Sequence, residues 1–292
     1  MSASPTPRSA LRNPKSGKVL AVIPARYAST RFPGKSLVPI AGVSLLRRVW
    51  ERCRKARGID RLVIATDDAR IWRAAAQMGA DVVLTSKDHM SGTDRVAEVA
   101  RTARDFAYII NIQGDEPLID PRLIDGLIRL LKSKPQIEMV TAAHPFSRPS
   151  DVSSPHQVKV TIDKSGRALN FSRQPIPAHA PRSGGLQSAE PKTRRPTDRR
   201  KLFLRHQGIY GFRRKTLLDF VRLKPSPREQ AERLEQLRAL ENGVTVHVLV
   251  TKEGSPGVDT PEDAAALEKI IARAEKKGAA SRKLQASTSR LQ

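Results

Sequence analysis

The sequence predicts an α/β fold, a mostly parallel, Rossmann-like sheet with an inserted antiparallel β subdomain. Through the first half of the chain, short apolar runs typical of buried strands alternate with amphipathic helical segments, which favours parallel strands covered by helices. From about residue 144 this alternation ends, and two apolar runs flank the turn sequence 163–166, which is typical of a hairpin. We therefore expect one α/β domain with an insertion, not two independent units.

The elements of the first half follow from local patterns. The apolar run 19–23 favours a buried strand, and Asp120 followed by Pro121 is typical of the N-cap and first turn of a helix. Apolar positions at helical spacing lead to Cys53, so we expect this thiol to pack in the core. We expect further strands at 61–65, 82–84, 108–112 and 139–142, and further helices near 45–53, 69–78 and 95–103.

The second half of the chain predicts the insertion and the end of the sheet. Strands are expected at 158–162, 168–171, 208–212 and 244–250, and a last helix near Thr260. A long helix is expected from about Arg228 to Asn242, where Gly243 would end it. The carboxyl ends of parallel strands are where such sheets bind ligands, so the loop after the first strand is the first place to look for a site.

Positive charge is concentrated in three segments. The net charge is +24, and the segments 1–18, 181–201 and 276–292 carry +4, +5 and +5 of it, or 14 of the 24 excess charges. All three are poor in large apolar residues, which is typical of disorder. We therefore predict a disordered basic extension at 1–18, one α/β domain at 19–275 and a disordered basic tail at 276–292. The inserted β subdomain would span 143–212 and hold a basic loop at 178–201.

Composition also limits the compartment and the kind of site. Cys53 is the only cysteine, which excludes an intrachain disulfide framework and a multi-cysteine zinc site. A cytoplasmic location fits this composition. The longest apolar runs are far shorter than a bilayer, so we expect no membrane span.

A loop rich in cations follows the first strand. Arg26, Arg31 and Lys35 lie in it, and Pro33 and Gly34 break it. Fixed positive charges and backbone N–H groups in such a loop are suited to binding phosphates. Neither the glycine-rich dinucleotide pattern nor the P-loop pattern is present. The alternative is a surface loop whose charges are solvated.

Two carboxylates lie near the ends of predicted strands. Asp115 follows strand 108–112 and the small residue Gly114, and Asp259 precedes the last helix. Carboxylate oxygens are ligands suited to Mg²⁺. Alternatively, Asp115 caps a turn, and Asp259 only complements the helix dipole while Thr260 is the N-cap. Taken together with the cationic loop, the pair points to a site for a nucleoside triphosphate and Mg²⁺.

The order and wording of these motifs resemble the 3-deoxy-manno-octulosonate cytidylyltransferase family. The resemblance runs from about Val19 to Ala272, outside the insertion. Its strings are IPARYASTRFPGKSL, ATDD, DHMSGTDRVAEV, NIQGDEPLI, VKVTID, LNFSRQPIP, LRHQGIYGF, EQAERLEQLRALENG and GVDTPEDA. The resemblance implies a nucleotide-binding α/β domain, usually a homodimer, that uses CTP to activate 3-deoxy-D-manno-octulosonate (KDO). The products would be CMP-KDO, for lipopolysaccharide biosynthesis, and pyrophosphate.

The resemblance also implies roles for individual residues. Lys35, Asp115 and Asp259 would be catalytic, and the two aspartates would bind Mg²⁺. The residues expected at the nucleotide are Ala25, Arg26, Arg31, Lys35, Ser91, Gly92, Arg95 and Gln113. Those expected at the acidic sugar are Arg173, His206, Tyr210, Glu232 and Gln236. On one continuous helix Glu232 and Gln236 share a face, whereas Glu235 is turned about 100° away, so we favour the first two.

Two departures from the family pattern lie in the insertion. Ala178 follows Ile176-Pro177 where an aromatic residue is common, and the basic stretch up to Lys201 is unusually long. A related acid sugar, such as 8-amino-KDO or a sialic-type acid, remains an alternative substrate. A basic nucleic-acid-binding protein is the alternative from another class. The chain lacks recognisable nucleic-acid modules and has few aromatic residues for base stacking, so we expect no specific nucleic-acid partner.

Overall fold

The computed structural model describes residues 17–29, 32–174 and 203–273. The predicted basic loop 178–201, the tail 276–292 and all but two residues of the extension 1–18 lie outside the described residues. Arg31 also lies outside them.

A nine-stranded sheet forms the centre of the described fold. The strands are β1 (Val19–Ala25), β2 (Pro39–Ile40), β3 (Val43–Ser44), β4 (Arg61–Thr66), β5 (Asp81–Leu84), β6 (Tyr108–Asn111), β7 (Met139–Pro145), β8 (Lys159–Ile162), β9 (Ala168–Ser172), β10 (Leu204–Arg213) and β11 (Val246–Val250). The helices are α1 (Leu45–Cys53), α2 (Ala69–Gln77), α3 (Gly92–Thr102), α4 (Pro121–Ser133), α5 (Arg214–Phe220), α6 (Pro227–Glu232), α7 (Gln236–Glu241) and α8 (261–273).

The sheet is mostly parallel, which confirms the predicted fold class. Its main path runs β11-β7-β10-β6-β1-β4-β5. Strand β1 is parallel to β4 and β6, and β11 is parallel to β7. Strand β10 is antiparallel to its two neighbours on this path, β6 and β7. The short strands β2 and β3 form a separate two-stranded sheet.

Both faces of the sheet are buried. Ala21 and Ile23 of β1 pack into one core cluster with α1 and α4, while Leu20 and Val22 pack into the other with α3 and α5. A strand buried on both faces is expected to be apolar throughout, which explains the continuous apolar run at 19–23. Cys53 is fully buried, as predicted, and burial raises the pKa of its thiol to about 12.

The insertion is a hairpin attached to the sheet. Strands β8 and β9 pair antiparallel around the predicted turn, where Gly166 has a φ of +83°. Strand β8 also pairs with the first residues of β10, so the hairpin continues the main sheet on one side. In the described part of the chain, no helix has the length and apolarity to cross a membrane.

The prediction of one long helix from Arg228 to Asn242 was wrong. The segment forms two short helices, α6 and α7, and Arg233 between them is left-handed with a φ of +53°. Leu234 in the break is buried, and the guanidinium of Arg238 donates to both oxygens of Glu229 across it, at 2.7 and 2.9 Å. Burial of Leu234 and this ion pair stabilise the break, and helical periodicity contains no sign of either.

Candidate active site

A cleft of about 300 Å³ opens at the carboxyl ends of β1 and β6. These two strands are parallel neighbours, so the loops that follow them meet at the same edge of the sheet. The N-terminus of α3 forms another wall. Predicted site residues that line the cleft are Ala25, Arg26, Lys35, Ser91, Gly92, Gln113 and Asp115.

Lys35 joins the two predicted carboxylates. Its Nζ lies 3.0 Å from Asp115 Oδ2 and 3.1 Å from Asp259 Oδ1, although these residues are far apart in the chain. The side chains of Lys35, Asp115 and Asp259 are 17%, 30% and 43% exposed, so the cluster is accessible from solvent. The cationic loop and both carboxylates therefore belong to one site.

Local backbone geometry places Lys35 at this position. Gly34 has a φ of +71° and its N–H donates to Tyr27 O at 2.8 Å, which closes the loop just before Lys35. A Cβ atom on Gly34 would lie 3.0 Å from the Tyr27 ring, so both the backbone angle and the space favour glycine. Lys35 then begins a 3₁₀ turn over Lys35–Leu37.

The charges of the cluster stabilise one another. Partial burial disfavours the Lys35 ammonium, but Asp115 and Asp259 outweigh this cost, so the pKa of Lys35 is raised. Two carboxylates that share one cation are a donor set suited to a hard metal ion. Among the described residues, no group of three or more His, Cys, Asp or Glu side chains could hold a metal ion, so a metal here would need further ligands from substrate or water.

The helix after Asp259 is capped by other residues. Thr260 Oγ1 accepts from the Asp263 N–H at 3.2 Å, and Asp263 Oδ2 accepts from the N–H groups of Asp259 and Thr260, both at 3.0 Å. This reciprocal arrangement provides hydrogen-bond acceptors for the free backbone N–H groups at the start of α8. The carboxylate of Asp259 is therefore directed to Lys35 and is not the N-cap.

Two of the arginines predicted at the nucleotide, Arg26 and Arg95, differ in position. Arg26 lines the cleft, and burial followed by the nearby charge of Arg95 lowers its pKa. Arg95 is fully buried and does not line the cleft. Its Nη2 lies 3.0 Å from Asp67 Oδ2, and its Nη1 donates to Thr85. The structure thus places Arg95 behind the cleft wall, where it is paired with a carboxylate.

Glu235 contacts the wall of the cleft, contrary to the expectation from a continuous helix. Ser91, the N-cap of α3, donates its hydroxyl to Glu235 Oε1 at 2.9 Å, and Thr93 donates to Glu235 Oε2 at 2.8 Å. The break before α7 turns Glu235 toward α3. Burial raises the pKa of this carboxyl.

The predicted sugar residues form two groups, and the first consists of His206 and Tyr210. The ring of His206 lies 5.6 Å from that of Tyr210 on β10 and 5.0 Å from that of Phe171, and His206 Nε2 is 2.9 Å from Thr141 Oγ1. Burial lowers the pKa of His206 to about 3, so the ring is neutral near pH 7.

The second group is built around Glu232. Its Oε2 accepts from the Arg173 N–H at 2.9 Å, its Oε1 accepts from the Ser172 hydroxyl at 2.7 Å, and its carbonyl accepts from Arg173 Nε at 2.9 Å. Gln236 is buried at the start of α7, and its Nε2 has no hydrogen-bond partner among the described residues.

A hydrogen-bonded chain leads from the cleft toward this region. Gln113 Nε2 donates to Asn111 Oδ1 at 3.0 Å, Asn111 Nδ2 donates to Thr93 Oγ1 at 3.2 Å, and Thr93 reaches Glu235. The predicted nucleotide residue Gln113 is therefore linked through polar contacts to Glu235, which directly precedes Gln236 of the predicted sugar set.

Several residues of the cleft were missed by sequence reasoning. These residues lie inside the predicted motifs and are small or uncharged, so residue type alone was a weak signal. They are Pro24, Ala28, Ser29, Ser36 and Met90. Met90 is 89% exposed.

Comparison with known proteins is consistent with this geometry. A family model for cytidylyltransferases matches residues 20–249. The 3-deoxy-manno-octulosonate cytidylyltransferase of Syntrophotalea carbinolica is 46% identical over 261 residues, covering 86% of this chain and 97% of the relative. That of Geobacter sulfurreducens is 45% identical over 253 residues, covering 87% and 98%.

A solved structure is similar over the same length. The structure of CMP:2-keto-3-deoxy-manno-octonic acid synthetase complexed with CTP aligns with a TM-score of 0.77 and 36% identity, covering 88% of this chain and 99% of that one. The chain belongs to the cytidylyltransferase family, among the 3-deoxy-manno-octulosonate cytidylyltransferases.

Proposed function

We propose that the protein transfers the cytidylyl group of CTP to KDO, which gives CMP-KDO and pyrophosphate for lipopolysaccharide biosynthesis. The names of its relatives and the CTP complex of a similar structure support this activity. The observation that carries the proposal is the contact of Lys35 with both Asp115 and Asp259 at 3.0 and 3.1 Å, beside a cleft at the carboxyl edge of the sheet. Such an edge is the usual ligand site of parallel α/β sheets.

The cationic side of the cleft suits the triphosphate. Arg26 and Lys35 both line it, and a guanidinium and an ammonium bind phosphate oxygens through charge-assisted hydrogen bonds. We propose that they hold the triphosphate and then stabilise the departing pyrophosphate as the anomeric hydroxyl of KDO attacks the α-phosphorus in line. Arg31 has the same proposed role from sequence and lies outside the described residues.

We also propose that the reaction uses Mg²⁺. Asp115 and Asp259 supply two hard oxygen donors around one cation, and Mg²⁺ is commonly held by one or two carboxylates together with substrate phosphates and water. When bound, the metal would neutralise phosphate charge at the reacting centre.

The sugar would lie on the side of β10. Arg173 is the natural partner of the KDO carboxylate, because a guanidinium recognises a carboxylate in a planar arrangement. The neutral ring of His206 and the Tyr210 hydroxyl are suited to hydrogen bonds with sugar hydroxyls. Glu232 and Gln236 stay in the proposed sugar set. Glu235 joins it, because it contacts Ser91 at the cleft wall.

The test is pyrophosphate release from CTP with KDO, 8-amino-KDO or a sialic acid as the acceptor. Each reaction is run with Mg²⁺ and with EDTA. We expect KDO to be the preferred acceptor and EDTA to abolish release. Preference for another acid would assign the alternative substrate, and absence of release with every acid would refute the proposed activity.

We further propose a homodimer in the cytoplasm. Leu169 is 62% exposed on β9, which is a site where a second subunit could bury apolar surface. Sedimentation of the wild type and of Leu169→Asp would test this, since the substitution should shift the protein toward monomer. A monomeric wild type would refute the dimer.

A further inference from the structure

The loops that carry Asp115 and Asp259 are joined to each other. The Val258 N–H donates to the Asp115 carbonyl at 2.8 Å, which is a main-chain link. A side-chain link lies beside it, because the Ser255 hydroxyl donates to Glu116 Oε2 at 2.7 Å. Glu116 directly follows one carboxylate in the chain, and Ser255 lies four residues before the other.

Gln207 of β10 completes this contact. Its Nε2 donates to the same oxygen of Glu116 and to Ser255 Oγ, the latter at 3.1 Å. Gln207 follows His206, and successive side chains of a strand point to opposite faces, so this contact lies on the face of the sheet away from the proposed sugar residues. The Glu116 carboxylate therefore connects both acidic loops to the sheet.

The loop before Asp259 depends on such contacts for its shape. It leaves β11 and is held at its start by the Thr251 N–H, which donates to the Ala143 carbonyl at 2.8 Å. Gly254 lies against His144 so closely that a Cβ atom would be 2.3 Å from the ring nitrogen. Between these contacts and Asp259, the loop has no helix or strand of its own, and Ser255 ties its middle to Glu116.

We infer that Glu116 is a positioning residue that sets the separation of Asp115 and Asp259 for the metal–nucleotide complex. This inference rests on the proposed function. Mg²⁺ requires near-ideal octahedral geometry, so a small displacement of one carboxylate weakens its binding. Residues that hold metal ligands in place commonly contribute 10–100-fold to metal affinity.

The experiment measures CTP binding by calorimetry, once with Mg²⁺ and once with EDTA. Glu116→Leu removes both acceptor contacts at similar size, whereas Glu116→Gln keeps an oxygen that can accept from Ser255 and Gln207. Glu253→Leu is the matched control, because Glu253 is an exposed carboxylate on the loop of Ser255, the partner of Glu116.

We expect Glu116→Leu to weaken CTP binding about tenfold or more in Mg²⁺ and to leave binding in EDTA unchanged. Glu116→Gln should restore wild-type binding, and Glu253→Leu should match the wild type throughout. Equal weakening of Glu116→Leu in Mg²⁺ and EDTA would show a merely structural role and overturn the inference. Wild-type binding that is independent of Mg²⁺ would overturn it as well.

Ser255→Ala keeps the inference testable if Glu116→Leu does not fold. It removes one donor at the surface of the loop, and we expect a smaller, several-fold weakening that is again confined to Mg²⁺. No change in Mg²⁺ would contradict the inference. Because the readout is binding and not turnover, a wild type that binds CTP with Mg²⁺ but does not activate KDO would refute the proposed function alone.

Discussion

The nucleotide side and the sugar side of the site are built in different ways. On the nucleotide side, Lys35, Asp115 and Asp259 are partly exposed and meet in a small ionic cluster. On the sugar side, the ring of His206 contacts that of Tyr210. Glu232 separately accepts hydrogen bonds from Ser172 and Arg173. The first region presents charge to a ligand, whereas the second depends on burial and on a break between two helices.

This difference predicts different responses to substitution. In the partly exposed ionic cluster, loss of one charge should change chemistry more than stability, because solvent screens part of each pairwise interaction. In the half-buried polar network of the sugar side, loss of one partner leaves another group unpaired and should lower stability. Substitutions in each region can test whether the nucleotide side mainly affects chemistry and the sugar side mainly affects stability.

Asp259→Asn tests the ionic cluster. We expect turnover to fall about a hundredfold to a thousandfold, because the charge is needed where phosphate charge develops. CTP affinity in Mg²⁺ should fall less, by about tenfold, because one proposed metal ligand is weakened. Steady-state kinetics and CTP binding are measured together. Glu262→Gln, at an exposed residue of the following helix α8, is the control. Unchanged turnover of Asp259→Asn would remove this residue from the mechanism.

Glu229→Gln tests the helix break. Arg238 is buried and donates to both carboxylate oxygens of Glu229. Glu229→Gln would leave its charge with only the longer ion pair to Glu235, at 3.6 Å. We expect a loss of about 3 kcal/mol in the free energy of unfolding. Urea denaturation measures this loss, and Glu241→Gln is a control at a longer surface ion pair to Arg228. A loss no larger than that of the control would mean that the pair does not stabilise the break.

Acid should destabilise the protein through His206. Its folded pKa is lowered to about 3, so as the pH falls below about 6.5 the unfolded chain takes up the proton first. Stability should therefore decrease between pH 6.5 and pH 3, by at most about 1.4 kcal/mol per pH unit from this group. Urea unfolding at pH 7 and pH 5 measures the decrease.

Two histidine variants isolate the contribution of His206. His206→Gln should lose less stability than the wild type between pH 7 and pH 5. His156→Gln, at an exposed histidine, should lose as much as the wild type. The same loss in all three proteins would assign the pH dependence to other groups.

Arg173→Ala tests the sugar side directly. We expect the KM for KDO to rise about tenfold while the KM for CTP changes little, because a charge-assisted pair to the sugar carboxylate is lost. Arg173→Lys should recover only part of this loss, since the planar donor pair is absent. An equal rise of both KM values would place Arg173 in a general structural role.

Arg233→Gly should produce a small effect of the opposite sign. Arg233 is exposed and left-handed, a backbone conformation in which glycine avoids about 1 kcal/mol of strain. We expect a slightly higher midpoint in urea and unchanged kinetics. Gln230→Gly, on an exposed turn of α6, should instead destabilise by about 1 kcal/mol. Destabilisation by both substitutions would contradict the assigned conformation of Arg233.

Local patterns were sufficient for most of the fold. The alternation of apolar runs and helical segments predicted the parallel sheet, and Asp120-Pro121 predicted the start of α4. The convergence of Lys35 with Asp115 and Asp259 was also predictable. Each of these residues lies in a loop at the end of a predicted strand or before a predicted helix, and such loops meet at one edge of the sheet. The position of Arg95 was not predictable in the same way, because residue type does not show that its guanidinium is buried against Asp67 behind the cleft.

What the chain encodes locally is therefore the order of strands and helices, the capping residues and the identity of the charged groups, because periodicity and turn chemistry act over a few residues. Tertiary packing alone decided that Glu235 contacts Ser91, that Arg95 is buried with Asp67 and that Glu116 links the two acidic loops. These contacts join residues from different elements, and only burial and pairing across those elements determine where each side chain lies.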